Sequence, residues 1–335
     1  MKQIAVVILN WNGAALLERF LPSVIQYSSD VAKIYVADNG STDASLEVLT
    51  SKFPEVSTIT MPVNKGFAGG YNQAIKEVSE PIICPLNSDV APSAQWLSPV
   101  LEAFEQDANL AIAQPKILDE LNKTLFEYAG AAGGYLDALG YPFCRGRIFQ
   151  SIEEDLGQYN DNVEIFWATG ACMFIRKSIF DFLGGFDTSY FAHQEEIDLC
   201  WRAKNTGHKI MYLGGSTVYH LGGSTLSNMN PKKTFLNFRN SLFSIIKNIP
   251  LHRSIFIILI RFILDGIAGI RFIFQGKFSH CLAIVQAHFY FYQGARRAFV
   301  NYSKTREKIK YYKTNSIVWS HYVKGLKKFS LLVKD

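Results

Sequence analysis

The chain contains no Cys-x-x-Cys pair. Its five cysteines, Cys84, Cys144, Cys172, Cys200 and Cys281, are odd in number and scattered over 335 residues. That spacing argues against a disulfide framework or a cysteine zinc site and fits a reducing compartment. No Gly-x-Gly-x-x-Gly follows the first apolar run, which argues against a dinucleotide dehydrogenase. No Gly-x-x-x-x-Gly-Lys-Ser/Thr occurs, which excludes a P-loop enzyme. The opening run Ile4–Leu9, broken by Asn10, is too short for the core of a secretion signal and reads as a buried strand. Charged residues are only 19% of the chain and hydrophobic ones 48%. Such a composition folds, and its length fits about two domains.

Acids are nearly missing from the last 95 positions. Only Asp265, Glu307 and Asp335 stand there, against 16 Lys and Arg. Residues 1–240 hold 18 Lys and Arg against 26 Asp and Glu, so the net charge of +5 joins a front of −8 to a back of +13. The split predicts a catalytic domain over 1–240 and a helical, basic and aromatic region over 241–335 that meets a different environment.

The first 90 residues alternate apolar runs with helical stretches. Ile4–Leu9, Lys33–Asp38, Val56–Met61 and Pro81–Leu86 read as strands, and Ala14–Tyr27, Asp43–Lys52 and Phe67–Val78 as helices. Strands without polar alternation belong to a parallel sheet covered on both faces, so the pattern is that of a doubly wound α/β domain. Ligands of such sheets bind beyond the carboxyl ends of the strands. Four polar tips therefore converge on one edge: Asn10-Trp11-Asn12-Gly13, Asp38-Asn39-Gly40-Ser41-Thr42-Asp43, Asn64-Lys65-Gly66, and Asn87-Ser88-Asp89. Taken singly, each is equally well a turn or a helix cap. Together they suit a nucleotide. Asp38 can accept the N3–H of a uracil or thymine ring, Trp11 offers a flat apolar wall, Lys65 can face a diphosphate, and Asp89 can hold a hard divalent cation.

These four segments, in this order, resemble the family 2 glycosyltransferases of GT-A fold. They are most similar to the rhamnosyltransferase-like enzymes of bacterial surface polysaccharide synthesis. The resemblance covers roughly residues 3–245. It implies a Rossmann-like, mostly parallel sheet with flanking helices. It places Asn10, Trp11, Asn12, Asp38, Lys65 and Gly66 around a nucleotide sugar. Asn87-Ser88-Asp89 is the equivalent of an Asp-x-Asp motif, with Asp89 its only carboxylate for Mg²⁺ or Mn²⁺. His220 stands where related enzymes can place a metal- or diphosphate-contacting histidine, although a lone histidine on a strand is more often structural.

The middle of the chain is less legible. Residues 106–165 read as a loop or short β excursion bordering the acceptor site, and Trp167–Arg176 as a strand after a glycine turn. A helix begins near Gln194 and ends at Asn205-Thr206-Gly207. It puts Glu195, Asp198 and Arg202 on one face. The plain reading of Asp198 and Arg202 is an i,i+4 ion pair. For Glu195 and Glu196 it is first-turn acids that suit the helix dipole. Sugar transfer, however, needs a base for the acceptor hydroxyl. The resemblance assigns that role to the second acid of the pair, Glu196, with Glu195 in reserve. Lys209–Leu213 and Thr217–His220 read as strands, followed by Leu221-Gly222-Gly223-Ser224-Thr225. A recurrent segment of the family, here around Arg239-Asn240, starts the helix leading out of the catalytic domain.

Ile255–Phe274 is about long enough to span a bilayer. Arg253, Arg261, Asp265 and Arg271 nevertheless fall within an arc of roughly 120°. That pattern predicts a helix lying in a membrane interface, the alternative being a helix packed on the catalytic domain. Leu282–Tyr292 adds aromatics, and residues 301–335 carry a net +7. Basic and aromatic side chains together suit an anionic membrane surface. The pI of 8.8 comes without a nucleic-acid motif, so nucleic acid is not an expected partner.

The sequence thus predicts an inverting, metal-dependent glycosyltransferase on the inner, cytoplasmic face of the cell membrane. Its donor is a nucleotide-diphosphate sugar (dTDP-rhamnose or a UDP-sugar) and its acceptor a lipid-linked saccharide or oligosaccharide. A nucleotidyltransferase would need a basic Gly-rich loop where Asn12-Gly13-Ala14 stands. A non-catalytic scaffold would have no need of Asp38, Asp89 and Glu196.

Overall fold

The computed structural model describes residues 2–222, 230–300 and 309–333. Gly223, Ser224, Thr225 and the basic stretch 301–308 lie outside the described residues.

The front half builds as its periodicity dictates: β1 (Ile4–Asn10), α1 (Ala14–Ser28), β2 (Ala32–Asp38), α2 (Ser45–Lys52), β3 (Ser57–Thr60), α3 (Gly66–Ile75), β4 (Ile82–Asn87), β5 (Val90–Pro92), α4 (Ser98–Gln106) and β6 (Leu110–Asp119). Four short strands come next, β7 (Gly134–Leu136), β8 (Pro142–Cys144), β9 (Arg147–Ile148) and β10 (Ser151–Ile152), which form a separate antiparallel sheet. Then come β11 (Asn162–Glu164), β12 (Phe174–Arg176), α5 (Lys177–Phe182), α6 (Glu195–Asn205) and β13 (Lys209–His220).

The main sheet runs β11-β13-β6-β12-β4-β1-β2-β3, with β5 on β13. Pairings β1/β2, β1/β4, β2/β3 and β6/β13 are parallel. Those of β12, β11 and β5 are antiparallel. Alternate residues feed two cores: Ile4, Val6 and Ile8 point into one, Ala5 and Val7 into the other. Burial on both faces is why these strands lack polar alternation.

Some expectations are corrected. The stretch from residue 106 to 165, read as a loop or short β excursion, holds the short strands β7–β10 but also β6, a ten-residue strand inside the main sheet, disguised by Gln114, Pro115 and Lys116. Trp167–Arg176 is strand only from Phe174, and Trp167 and Cys172 make isolated bridges to Gly134 and Leu86. The two strands before His220 are one, β13, whose register shifts between Leu213 and Thr217. β3 is an edge strand with alternate exposure, not a buried run.

Beyond the sheet run α7 (Pro231–Asn248), α8 (Leu251–Phe274), α9 (Phe278–Val300), α10 (Ile317–Tyr322) and α11 (Phe329–Leu332). The polar arc expected on α8 does not face outward as a unit. Arg261 and Asp265 are buried; Arg253 and Arg271 are exposed. The Arg261 guanidinium lies 3.8 Å from the Tyr141 ring and donates to Ser241 Oγ at 2.8 Å. Asp265 accepts from Tyr141 at 3.2 Å and faces His288 at 3.0 Å. The face turned outward is apolar: Ile255, Phe256, Leu259, Ile263, Ile267 and Ile270. Packing on the rest of the fold thus holds for the charged side of α8, because buried charges must be paired. Among the described residues no helix is long and apolar enough to cross a membrane.

The C-terminal segment folds back over the small sheet. Lys313 N–H donates to the Leu136 carbonyl and Ile317 N–H to buried Asp137. The Phe329 ring sits 5.3 Å from that of Tyr135.

Candidate active site

The tips of β1, β2 and β4 meet because their strands are in register: Asn10 pairs with Asp38, and Leu9 with Asn87. Asp38 is buried. Its carboxylate accepts from Asn10 Nδ2 at 3.2 Å and from Ser41 N–H at 3.0 Å. Asn12 accepts from Thr42 N–H at 2.7 Å, so the two loops are stitched together. Asn10 Oδ1 is buried with no hydrogen-bond partner. Trp11 stands half exposed at the rim. Two of the plain alternatives hold beside these residues. Asp43 accepts from Ala14 N–H and Ser45 N–H at the entries to α1 and α2. Gly40, at φ +75°, turns where a Cβ would meet the backbone of Val63 at 2.8 Å.

The Asn64–Gly66 loop is held by Asn39, whose side chain accepts from Lys65 N–H at 2.9 Å and donates to Asn64 Oδ1 at 3.0 Å. The Lys65 ammonium is exposed, 3.5 Å from Gln73 Oε1. Gly66, at φ +70°, lies against the Phe191 ring, which a Cβ would meet at 3.0 Å, and Phe67 N–H donates to the Phe191 carbonyl. This contact joins the Asn64–Gly66 loop to the segment that leads into α6.

Antiparallel pairing of β5 with β13 sets Val90 opposite His220 and so delivers Asp89 to the imidazole. His220 Nε2 lies 3.2 Å from Asp89 Oδ1 and 3.4 Å from Asn87 Nδ2; its Nδ1 is 3.4 Å from Glu127 Oε1. Ser88 is half-buried in the turn between β4 and β5. Burial opposes a charged imidazole, but the carboxylates of Asp89 and Glu127 outweigh it and lift the ring's pKa to about 10. Glu127 was not expected at the site. An acid between Phe126 and Tyr128 in an apolar stretch was its only signal.

The donor set fits a divalent cation in one respect. Two cis ligands of an octahedral ion at about 2.1 Å are roughly 3.0 Å apart, close to the 3.2 Å between Asp89 Oδ1 and His220 Nε2, but this is also the distance of the ion pair they form, so the ring becomes a ligand only by giving up its proton. Among the described residues no group of three or more His, Cys, Asp or Glu is placed to hold a metal.

The acidic pair opens α6. Glu195 is buried, Glu196 half-buried, and each has one Oε2 with no hydrogen-bond partner. Burial, then the neighbouring Glu196 charge, pushes Glu195 well above the ordinary carboxylate range. Burial raises Glu196 to about 7, partly offset by backbone N–H groups at the start of the helix. Asp198 is different. Burial alone would raise it, but Lys247 and Arg202, at 2.9 and 2.8 Å, hold it well below the usual range. The ion pair expected of Asp198 and Arg202 is present, and Lys247 extends it.

Residues 5–184, more than half of the chain, match the family described as Glycosyl transferase family 2. The chain is 24% identical over 229 residues to the N-acetylglucosaminyl-diphospho-decaprenol L-rhamnosyltransferase of Mycobacterium tuberculosis, a match covering 64% of this chain and 75% of that one. It is 24% identical over 211 residues to the low-salt glycan biosynthesis hexosyltransferase Agl10 of Haloferax volcanii, covering 61% and 62%. Two solved structures share the fold. The mannosyltransferase PcManGT of Pyrobaculum calidifontis with GDP-Man and Mn²⁺ aligns with a TM-score of 0.53 at 10% identity over 87% of each chain. GalNAc-T7 with UDP, GalNAc and Mn²⁺ aligns with a TM-score of 0.55 at 16% identity, over 73% of this chain and about half, 48%, of that one.

Proposed function

The chain belongs to glycosyl transferase family 2, and from that premise we propose that it moves a sugar from a nucleotide-diphosphate donor to a hydroxyl of a lipid-linked saccharide, with inversion at the anomeric carbon. The supporting observation is Glu196: a half-buried carboxylate raised to about 7, in the first turn of α6, whose preceding segment touches the Asn64–Gly66 loop through Phe191. Such a group can take a proton at neutral pH.

The donor lies across the strand tips, its nucleoside among Asn10, Trp11, Asn12 and Asp38 and its diphosphate toward Lys65, Gly66 and the Asn87-Ser88-Asp89 turn. Glu196 takes the acceptor proton as the hydroxyl attacks opposite the leaving diphosphate, through a transition state of oxocarbenium character. A Mg²⁺ or Mn²⁺ ion would be held by Asp89 and, once its ring gives up its proton, by His220, and would supply charge against the diphosphate. The solved relatives carry Mn²⁺, and the acceptor named for the mycobacterial relative is a diphospho-lipid. Both support the reading. dTDP-rhamnose is the first donor to try, with UDP-sugars next.

The division between a catalytic domain over 1–240 and a membrane-associating region over 241–335 belongs to the same reading. The outward apolar face of α8, flanked by Arg253 and Arg271, suits the cytoplasmic face of an anionic bilayer. A panel of nucleotide sugars with a polyprenyl-diphosphate-linked saccharide tests the function. Transfer with inversion is expected; donor hydrolysis or transfer with retention would overturn the mechanism.

A further inference from the structure

Half of the buried positions of α7 are polar, and among them Asn240, Ser244 and Lys247 form a stripe at i, i+4 and i+7. Each is spent on the segment leading into α6. Asn240 Nδ2 donates to three carbonyls, those of Tyr190 at 3.1 Å, Ala192 at 3.0 Å and His193 at 2.8 Å. Its Oδ1 accepts from Arg239 Nε at 2.9 Å, which fixes the amide's orientation. The other arm of Arg239 reaches the Ser189 and Tyr190 carbonyls, both at 3.2 Å. Ser244 Oγ meets Tyr190 Oη at 3.0 Å, and Lys247 ties Asp187 to Asp198.

The held segment is conformationally expensive. Phe191, His193 and Gln194 all have positive φ, at 64°, 68° and 75°. Side chains other than glycine avoid that region, so such a run persists only where its surroundings impose it. The segment runs directly into the first turn of α6, which carries Glu195 and Glu196. A small shift in this segment would displace the carboxylate from the acceptor hydroxyl, and misplacement by about 1 Å can cost about a hundredfold in rate.

We propose that Asn240, locked by Arg239, is a positioning residue for Glu196: its three carbonyl contacts impose the left-handed segment that delivers the carboxylate to the Asn64–Gly66 loop. The inference rests on Glu196 being the base. It assigns to the Arg239-Asn240 pair a role reached through the backbone.

The test uses the full chain and three variants. Asn240→Leu removes the donor without adding charge, Arg239→Lys loosens the lock, and Glu196→Gln is the reference for the base. In Asn240→Leu, kcat is expected to fall at least tenfold while the donor KM stays within about twofold. Amides 191–197 should exchange hydrogen at least tenfold faster, while the unfolding temperature falls only by what the stranded carbonyls cost and nucleotide affinity is kept. The acid limb of the rate profile should also move below its position near pH 7, because water reaching a loosened Glu196 relieves the burial that raises it. The titratable groups acting on the pair are Glu195 and Glu196 themselves, Cys200 and Asp198. Arg239→Lys should show the same changes to a smaller extent.

Wild-type kcat and exchange in Asn240→Leu, with Glu196→Gln inactive, overturns the positioning role and leaves the base standing. Full transfer by Glu196→Gln overturns both. Equal losses of kcat, nucleotide affinity and unfolding temperature in Asn240→Leu mean a merely structural residue and also overturn it.

Discussion

Burial raises Glu196, beside Glu195, to about 7, so transfer should rise as pH climbs through 7 and fall away in acid. Glu196→Gln should bind nucleotide normally and transfer nothing measurable; wild-type turnover by this variant would remove the base assignment. The same burial has a stability consequence of definite sign. The folded state holds its proton from the ordinary value of 4.5 up to about 7, so stability is lost as pH rises through that window. The loss is on the order of 3 kcal/mol above pH 7. Glu196→Gln should therefore unfold at a higher temperature than the wild type at pH 8 and at the same temperature below pH 4. Equal unfolding temperatures at pH 8 would contradict it. For the site around Asp89 and His220, chelation should stop transfer, and Mn²⁺ or Mg²⁺ should restore it. Single residues were legible where their placement comes from strand order: Asn10 and Asp38 end strands and Asp89 lies in the turn after β4, so their convergence could be read from spacing. Glu127 and the Asn240 contacts could not, because they arise from side chains meeting residues far away along the chain.

Helix α8 shows how far an element can be read from periodicity. The spacing of its charges gives the right face but not the direction that face points. Arg261 and Asp265 turn inward because Tyr141, Ser241 and His288 are there to receive them, and those partners come from three other parts of the chain. Arg261→Met removes the guanidinium 3.6 Å from buried Asp265, leaving that carboxylate to Tyr141 and His288, and should cost about 3 kcal/mol, read as a drop in chemical denaturation midpoint. On the opposite face, Ile263 is 67% exposed. Ile263→Asp should leave folding unchanged and strongly reduce sedimentation with vesicles of mixed phosphatidylglycerol and phosphatidylcholine; undiminished binding would rule out this face as the lipid contact. β6 was hidden for a related reason. Gln114 accepts from Thr169 N–H and donates to the Gly130 carbonyl, so a polar residue serves the interior of a strand that looks like loop in isolation.

For the molecule as a whole, the charge split between residues 1–240 and 241–335 does not coincide with a clean structural separation. The described part of the tail returns to the small sheet. Phe329 packs on Tyr135, Phe143 and Tyr159, and its N–H donates to buried Glu153. Removing everything after residue 250 would expose that aromatic cluster and take from Asp137 and Glu153 the backbone donors at Ile317 and Phe329, so loss of membrane binding by such a truncation would be confounded with unfolding. Phe329→Ala measures the docking directly. Truncating a buried phenylalanine costs about 3–5 kcal/mol, and the denaturation midpoint should fall accordingly. A Phe329→Ala variant as stable as the wild type would mean that the tail does not hold the sheet. The basic surplus of the back can then be tested on the intact chain by ionic strength alone. Exposed charges are screened beyond about 8 Å at 0.15 M salt and about 3 Å at 1 M, whereas apolar insertion is not weakened. Binding to anionic vesicles should therefore fall between these salts to a plateau set by the α8 face, and Ile263→Asp should abolish that plateau. Complete release of the wild type at 1 M salt would assign the membrane contact to charge alone.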